Sequence, residues 1–108
     1  MVRSDRRRRG ARLRAMSSPK TPAEFHAVVI GMGGVGRQAA LHLTTMGVPK
    51  LTLIDHGPVM FADLAPEGFR RDDVNRPKVE AVGEVCHDVN PRLDLTEIAT
   101  PFRRSMAR

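Results

Sequence analysis

The sequence predicts an α/β fold with a parallel sheet, because strand and helix patterns alternate and a glycine-rich turn joins the first strand to the first helix. Residues 27–30 form a short, continuous apolar run, typical of a parallel strand that is buried on both faces. Four glycines follow within residues 31–36. A strand, a tight turn and a helix in this order predict the start of a strand–helix–strand unit.

The first helix and the second strand follow directly. Apolar residues recur at helical spacing from Val35 to Met46, and Gly47 stands where a helix commonly ends. Residues 51–54 then predict the second strand, which ends at Asp55. The unit is thereby complete on the sequence pattern alone.

The second crossover is less regular. Residues 61–69 predict a short helical turn, and Asn75 has the residue type of a helix N-cap. Apolar residues at helical spacing over residues 79–89 predict the next helix, which Asn90–Pro91 ends. Alternation over residues 92–98 predicts a third strand. Right-handed crossovers place the strands in the order 3-2-1, which leaves the first strand at an exposed edge.

This order is one half of a doubly wound, Rossmann-like nucleotide-binding fold. Its glycine loop (Gly31, Gly33, Gly34 and Gly36) lets phosphates approach the main chain, and the helix that begins there directs free N–H groups at an anion. Asp55 lies where a carboxylate reaches the ribose hydroxyls of a nucleotide; the alternative is that Asp55 caps a loop. The strand–loop–helix–strand–acid context, more than the glycine motif, predicts a nucleotide site.

Charge and composition divide the chain and exclude several classes of protein. Residues 1–20 carry a charge of +7 and predict a disordered basic tail, whereas residues 21–108 carry −1 and predict the partial domain. The alternative for the tail is a basic arm that contacts nucleic acid or acidic lipid. Four Phe, no Trp and no Tyr argue against nucleic-acid binding by base stacking.

The lone cysteine, Cys86, excludes a disulfide framework and a four-cysteine zinc site, and predicts a reduced, cytoplasmic compartment. It lies in the apolar stripe of a helix, which favours a buried core residue over a reactive one. No apolar run reaches the roughly 18 residues that a membrane span needs, so no membrane contact is expected.

Two further segments carry a resemblance to a known family. Residues 46–55 resemble the segment GVG-x-(I/L)-x-(L/I)-(V/I)-D. Residues 73–81, followed by Asn90–Pro91, resemble D-(V/L)-G-(R/K)-P-K-(V/A)-E-A … (I/L)-N-P, with Asn75 in place of the usual Gly. With the double glycine of the loop, residues 25–98 are similar to the N-terminal half of the ThiF/MoeB/HesA family of ubiquitin-activating-enzyme-like adenylating domains.

The resemblance implies a function. Members of that family bind ATP and Mg²⁺ and adenylate the C-terminal carboxylate of a small ubiquitin-like or sulfur-carrier protein. Carried to this sequence, the glycine loop lies against ATP, Asp55 holds the ribose and Lys78 contacts the phosphates; the alternative is that Lys78 is a solvent-facing lysine. The family's Mg²⁺-binding Asp and its cysteines lie beyond the region of resemblance, so no catalytic residue and no metal ligand is assigned. Family members are typically dimers, which adds a homodimer to the expected partners.

Departures from the family pattern lie after the second strand. Asp63 stands where Asn is usual, Pro66 where the phosphate-binding Arg is usual, and Glu67 where Gln is usual. These changes add two negative charges and remove a positive one beside the expected triphosphate, where like charges repel. Arg70 and Arg71 are the candidates to replace the missing Arg.

Three interpretations stay open on the sequence alone. The first is the ATP-binding part of a ThiF-type adenylyltransferase, incomplete as a catalyst. The second is an NAD-binding Rossmann module of an oxidoreductase, whose mark would be NAD binding through Asp55 without Mg²⁺. The third is a truncated, non-catalytic fragment, which the short length, the exposed sheet edge and the altered residues 63–67 favour.

Overall fold

A computed structural model describes residues 25–101, and the predicted basic tail lies outside the described residues. Two 3₁₀ turns, Phe61–Asp63 and Arg71–Asp73, lie in the second crossover. No helix in the described part is long and apolar enough to cross a membrane. The strands and helices are β1 His26–Ile30, α1 Gly34–Thr45, β2 Lys50–Ile54, α2 Leu64–Glu67, α3 Lys78–Val89 and β3 Asp94–Ile98.

The three strands form one parallel sheet in the spatial order β1-β2-β3. The register runs from His26 opposite Lys50 to Ile30 opposite Ile54, and β3 pairs with β2 on its other side. The predicted α/β class and strand order are therefore confirmed. Within the described sheet, β1 and β3 are the two edges.

Both long helices pack on one face of the sheet. α1 approaches Val29 of β1 through Gly36, and α3 approaches β3 through Gly83. The opposite face carries Val28 and Ile30, both more than half exposed. Because side chains alternate along a strand, the register places six residues on the helix-covered face: Ala27, Val29, Leu51, Leu53, Leu95 and Glu97. The aliphatic core lies between this face and the helices.

One predicted helix end is confirmed and one predicted cap is wrong. Gly47 follows α1 at φ 91°, a left-handed conformation that favours glycine, and its N–H donates to the carbonyl of Thr44 at 3.1 Å. Asn75 does not cap α3, which begins at Lys78; it lies at φ 73° instead. Asn75 N–H donates to Val59 O, and Val59 N–H donates to Arg76 O, both at 2.8 Å. This pairing holds residues 74–76 in a turn, so the helix begins only after Pro77.

The remaining elements agree with the sequence pattern. The short helical turn predicted over residues 61–69 is present as a 3₁₀ turn followed by α2. The third strand begins at Asp94, because residues 90–93 form a turn in which the Asn90 carbonyl accepts the N–H of Leu93 at 3.1 Å. Leu93 is buried and adds to the core before the strand starts.

Candidate functional site

The glycine loop lies at the carboxyl edge of the sheet, where β1 ends. Gly31 adopts φ 88°, and its N–H donates to the carbonyl of Ile54 at 2.7 Å, so the loop is tied to the end of β2. A Cβ on Gly36 would overlap the carbonyl oxygen of Gly31. These two glycines allow the tight turn that directs the N-terminus of α1 at this edge.

Asp55 ties the glycine loop to the segment after β2. Its Oδ2 accepts the N–H of Met32 at 2.7 Å, and its Oδ1 accepts the N–H of Gly57 at 2.7 Å. The Gly57 carbonyl in turn accepts the backbone N–H of Lys78 at 3.0 Å. A carboxylate offers about four lone-pair sites, so loop capping leaves capacity for further donors such as hydroxyls. The predicted contact with ribose stays a prediction.

Lys78 is not solvent-facing, so that alternative is wrong. Its side chain is 15% exposed, and its Nζ lies 3.0 Å from Glu67 Oε2 and 3.6 Å from Asp63 Oδ2. Burial by itself lowers the pKa of Lys78, but the carboxylates of Glu67, Asp63 and Asp55 outweigh burial and raise it above its ordinary value. Lys78 therefore stays a cation at neutral pH, with three carboxylates around it.

Glu67 lies between Lys78 and the glycine loop. A Cβ on Gly33 would lie 3.2 Å from Glu67 Oε1, and one on Gly34 would lie 3.5 Å from the carbonyl oxygen of Pro66. The end of α2 thus packs against the beginning of α1. Glu67 Oε2 is buried, and within residues 25–101 the Lys78 ammonium, 3.0 Å away, is its only ion-pair partner.

Asp63 has a second task besides its ion pair with Lys78. Its Oδ2 accepts the N–H of Met60 at 2.8 Å, which closes the 3₁₀ turn before α2. Asp63 and Glu67, two acids that depart from the family pattern, are therefore both paired with the lysine that the resemblance assigns to phosphate.

The two arginine candidates do not join this group. Arg70 is largely exposed, and its guanidinium lies 3.9 Å from Asp73 and 3.8 Å from Glu84, on the side of the crossover that faces α3. Arg71 is exposed and forms no ion pair within residues 25–101. Nothing in these contacts brings either guanidinium to the glycine loop, so replacement of the missing Arg by Arg70 or Arg71 gains no support.

A cation that the sequence reasoning missed lies on α1. The Arg37 guanidinium is next to Gly68, directly after α2, and lies 6.0 Å from the centre of the Phe69 ring, the same distance as Lys78 Nζ. Arg37 and Phe69 also line a cavity of about 260 Å³. In the sequence, Arg37 is marked only as a charged residue directly after the last glycine of the loop. That pattern by itself predicts an exposed helix position.

The R-P-K element divides into a structural part and a site part. The Arg76 guanidinium lies 3.1 Å from Asp73, 3.1 Å from Glu80 and 2.7 Å from Glu84, so it joins the crossover to α3. Hydrogen bonds to Glu84 and Glu80 raise the pKa of Arg76 further above its ordinary value. Lys78, two residues later, instead pairs with Glu67, whose carboxylate lies against Gly33 of the glycine loop.

The remaining predicted features hold no chemistry of their own. Cys86 is fully buried as a free thiol, as predicted, and burial raises its pKa. His56 is exposed beside Asp55. Among the described residues, no group of three or more His, Cys, Asp or Glu side chains is placed to hold a metal ion.

Comparisons with known proteins agree on one family. The model of the ThiF family matches residues 13–108. The chain is 37% identical over 68 residues to Ubiquitin-like modifier-activating enzyme 5 of Arabidopsis thaliana, covering 63% of this chain and 16% of that protein. It is 32% identical over 76 residues to Molybdopterin-synthase adenylyltransferase of Escherichia coli, covering 69% and 30%. It is 31% identical over 85 residues to Sulfur carrier protein ThiS adenylyltransferase of E. coli, covering 78% and 34%.

The fold comparison gives the same result. A crystal structure of E. coli MccB with ATP matches with a TM-score of 0.71 at 26% identity, over 78% of this chain and 25% of that one. The chain spans about a third or less of the length of the relatives it matches.

Proposed function

Because the chain belongs to the ThiF family, we propose that residues 21–108 form the nucleotide-binding part of an adenylyltransferase domain and that this part binds ATP. One observation carries the proposal: the N-terminus of α1, the Asp55 carboxylate and the Lys78 ammonium converge at one edge of the parallel sheet. The glycine loop and the largely buried cation are complementary to phosphate groups, and the acid after the second strand is complementary to ribose hydroxyls.

The proposed roles follow from position. The glycine loop (Gly31, Gly33, Gly34 and Gly36) would lie against the phosphates, Asp55 would use its remaining lone pairs for the ribose hydroxyls, and Lys78 would stabilise charge on the phosphate oxygens. Asp55 also positions Lys78 through Gly57. Its carboxylate accepts the N–H of Met32 in the glycine loop and the N–H of Gly57, and the Gly57 carbonyl accepts the backbone N–H of Lys78. Mg²⁺ would enter with the nucleotide, because the described residues supply no group of three ligands.

The reaction in this proposal belongs to the whole family domain. A carboxylate oxygen at the C-terminus of a small ubiquitin-like or sulfur-carrier protein attacks the α-phosphorus of ATP, an acyl-adenylate forms, and pyrophosphate leaves. The printed functions of the relatives support this partner class. We further propose a homodimer, which the edge position of β1 favours, and a cytoplasmic location, which the free thiol of Cys86 favours.

A non-catalytic nucleotide-binding role is the second candidate, and a specific observation favours it. Glu67 and Asp63 already neutralise Lys78, and the ion pairs of Arg70 direct it to Asp73 and Glu84 rather than to this site. A site with this charge balance favours retention of a nucleoside over activation of its triphosphate.

Thermal unfolding with ligands tests the proposal. The full chain is titrated with Mg-ATP and separately with NAD, and Asp55→Ala serves as the variant without the carboxylate. We expect a rise in Tm that grows with the logarithm of Mg-ATP concentration and that disappears in Asp55→Ala while this variant still unfolds cooperatively. A rise with NAD alone would replace the proposal with a nicotinamide-binding module, and no rise with either ligand would contradict binding of ATP by the unaltered chain.

A further inference from the structure

The Glu67 carboxylate is inserted between the two features that would bind phosphate. On one side, Oε1 lies against Gly33, the N-cap residue of α1, where a Cβ would be 3.2 Å away. On the other side, Oε2 lies 3.0 Å from Lys78 Nζ. The side chain is 22% exposed, so α2 and the loop enclose it rather than leaving it in bulk water.

This position is electrostatically favourable for a negative group. α1 has no acidic residue in its first turn and no side-chain cap at Gly33, so the partial positive charge of its N-terminus has no counterpart within the helix itself. Glu67 supplies that counterpart from α2 and at the same time neutralises Lys78. A phosphate oxygen at this position would make the same two interactions.

Charge counting shows what a phosphate would meet. Lys78 contributes one positive charge, and Glu67 and Asp63 contribute two negative charges within 3.6 Å of its Nζ. A nucleotide that brings several negative charges is repelled by these carboxylates unless Glu67 leaves its position. A nucleoside without phosphate meets no such opposition, because Asp55 and the sheet edge lie on the ribose side of the site.

We infer that Glu67 determines the specificity of the nucleotide site: its carboxylate occupies the phosphate position between the N-terminus of α1 and Lys78, and competes with the nucleotide's own phosphates. The inference rests on the proposed function, since it concerns the same site. It predicts that affinity falls as phosphates are added from adenosine to AMP to ATP. It also predicts that removal of this one charge reverses that order.

The test compares Glu67→Gln with the unaltered full chain by calorimetric titration of adenosine, AMP and ATP in excess Mg²⁺. Gln keeps the size and shape of the side chain but not its charge. Asp94→Asn is the matched control, because it removes one carboxylate from an exposed residue at the other end of β3. That end lies about 13 Å from the carboxyl edge for a five-residue strand.

We expect Glu67→Gln to bind ATP about tenfold more tightly or better, AMP less so, and adenosine within about twofold of the unaltered chain. Binding of ATP by Glu67→Gln alone would support the inference equally. An ATP affinity that Glu67→Gln leaves unchanged, or an equal gain for adenosine, overturns the inference while the proposed function stands. Failure of both proteins to bind any of the three ligands overturns the proposed function, and the inference with it.

Discussion

At the scale of single residues, Asp55 stands out because one carboxylate holds two backbone segments. It accepts the N–H of Met32 in the glycine loop and the N–H of Gly57 after β2, each at 2.7 Å. Whether or not it binds ribose, its charge and its two acceptor oxygens contribute to the shape of the site. A substitution here therefore tests structure before it tests ligand binding.

Asp55→Asn is expected to lower the free energy of unfolding by about 1–3 kcal/mol, because the amide NH₂ would face one of the two N–H donors and leave it without an acceptor. Urea unfolding at neutral pH measures the change. Asp72→Asn is the control, since Asp72 is exposed. Equal midpoints for the two variants would show that the Asp55 carboxylate does not hold the loop.

At the scale of secondary-structure elements, the contact between β1 and α1 depends on a missing side chain. Gly36→Ala is expected to cost about 3 kcal/mol or more, since its Cβ would overlap the carbonyl oxygen of Gly31 and force α1 away from the strand. Gly34→Ala is the matched control: its Cβ would lie 3.5 Å from Pro66 O, an ordinary contact. Its stability should stay within about 1 kcal/mol of the unaltered chain.

Circular dichroism during thermal unfolding separates the two alanine variants. A cooperative transition for Gly34→Ala together with a strongly lowered or lost transition for Gly36→Ala is the expected pair of results. Similar melting of both variants would mean that the loop relaxes without loss of helix packing.

The contact between β3 and α3 carries a pH dependence. Burial, and secondarily repulsion from Glu80, raise the pKa of Glu97 above its ordinary 4.5. An acid whose pKa is raised by folding stabilises the protein below the unfolded-state value, and this contribution is lost as pH rises through the folded-state value. Glu97 therefore costs stability at neutral pH.

Glu97→Gln is accordingly expected to be more stable than the unaltered chain at pH 7, with the advantage shrinking as pH falls toward 4.5. Urea midpoints over this pH range measure the difference, and Glu84→Gln, which loses an ion pair with Arg76, should change in the opposite direction at pH 7. A constant difference across the range would contradict a raised pKa for Glu97.

Element order, strand order and the end of α1 could be predicted from the sequence, because apolar periodicity and Gly47 are local signals. The start of α3 could not, since Asn75 pairs with Val59, sixteen residues earlier, and no local pattern reports that pairing. In the site, the glycine loop and Asp55 follow from position along the chain. The partners of Lys78 do not, because they depend on how α2 folds back against α1.

At the scale of the whole molecule, the β1 edge of the sheet is exposed on the face away from the helices. Val28 and Ile30 are 51% and 54% exposed there, and β1 pairs only with β2 in the described part of the chain. An apolar edge strand is a site of association between chains. This feature gives the proposed homodimer a physical basis.

We expect the full chain to associate in a concentration-dependent manner and the double variant Val28→Thr/Ile30→Thr to associate less, because Thr keeps strand propensity while reducing apolar area. Sedimentation velocity over a range of concentrations measures the change. Val89→Thr is the matched control, with the same 51% exposure on α3. Identical sedimentation of the double variant and the unaltered chain would locate the association elsewhere.

The buried thiol of Cys86 also provides a probe of local opening of the structure. Thr44 and Arg37 of α1 lie close enough to the sulfur to affect its pKa, so the thiol faces the seam between α1 and α3. A thiol reagent can reach it only when that seam parts, and the labelling rate then counts such openings. A ligand that contacts both the beginning of α1 and Lys78 at the beginning of α3 is expected to make separation of the two helices rarer and to lower the labelling rate of Cys86. The labelling rate of this thiol therefore reports ligand binding at the site.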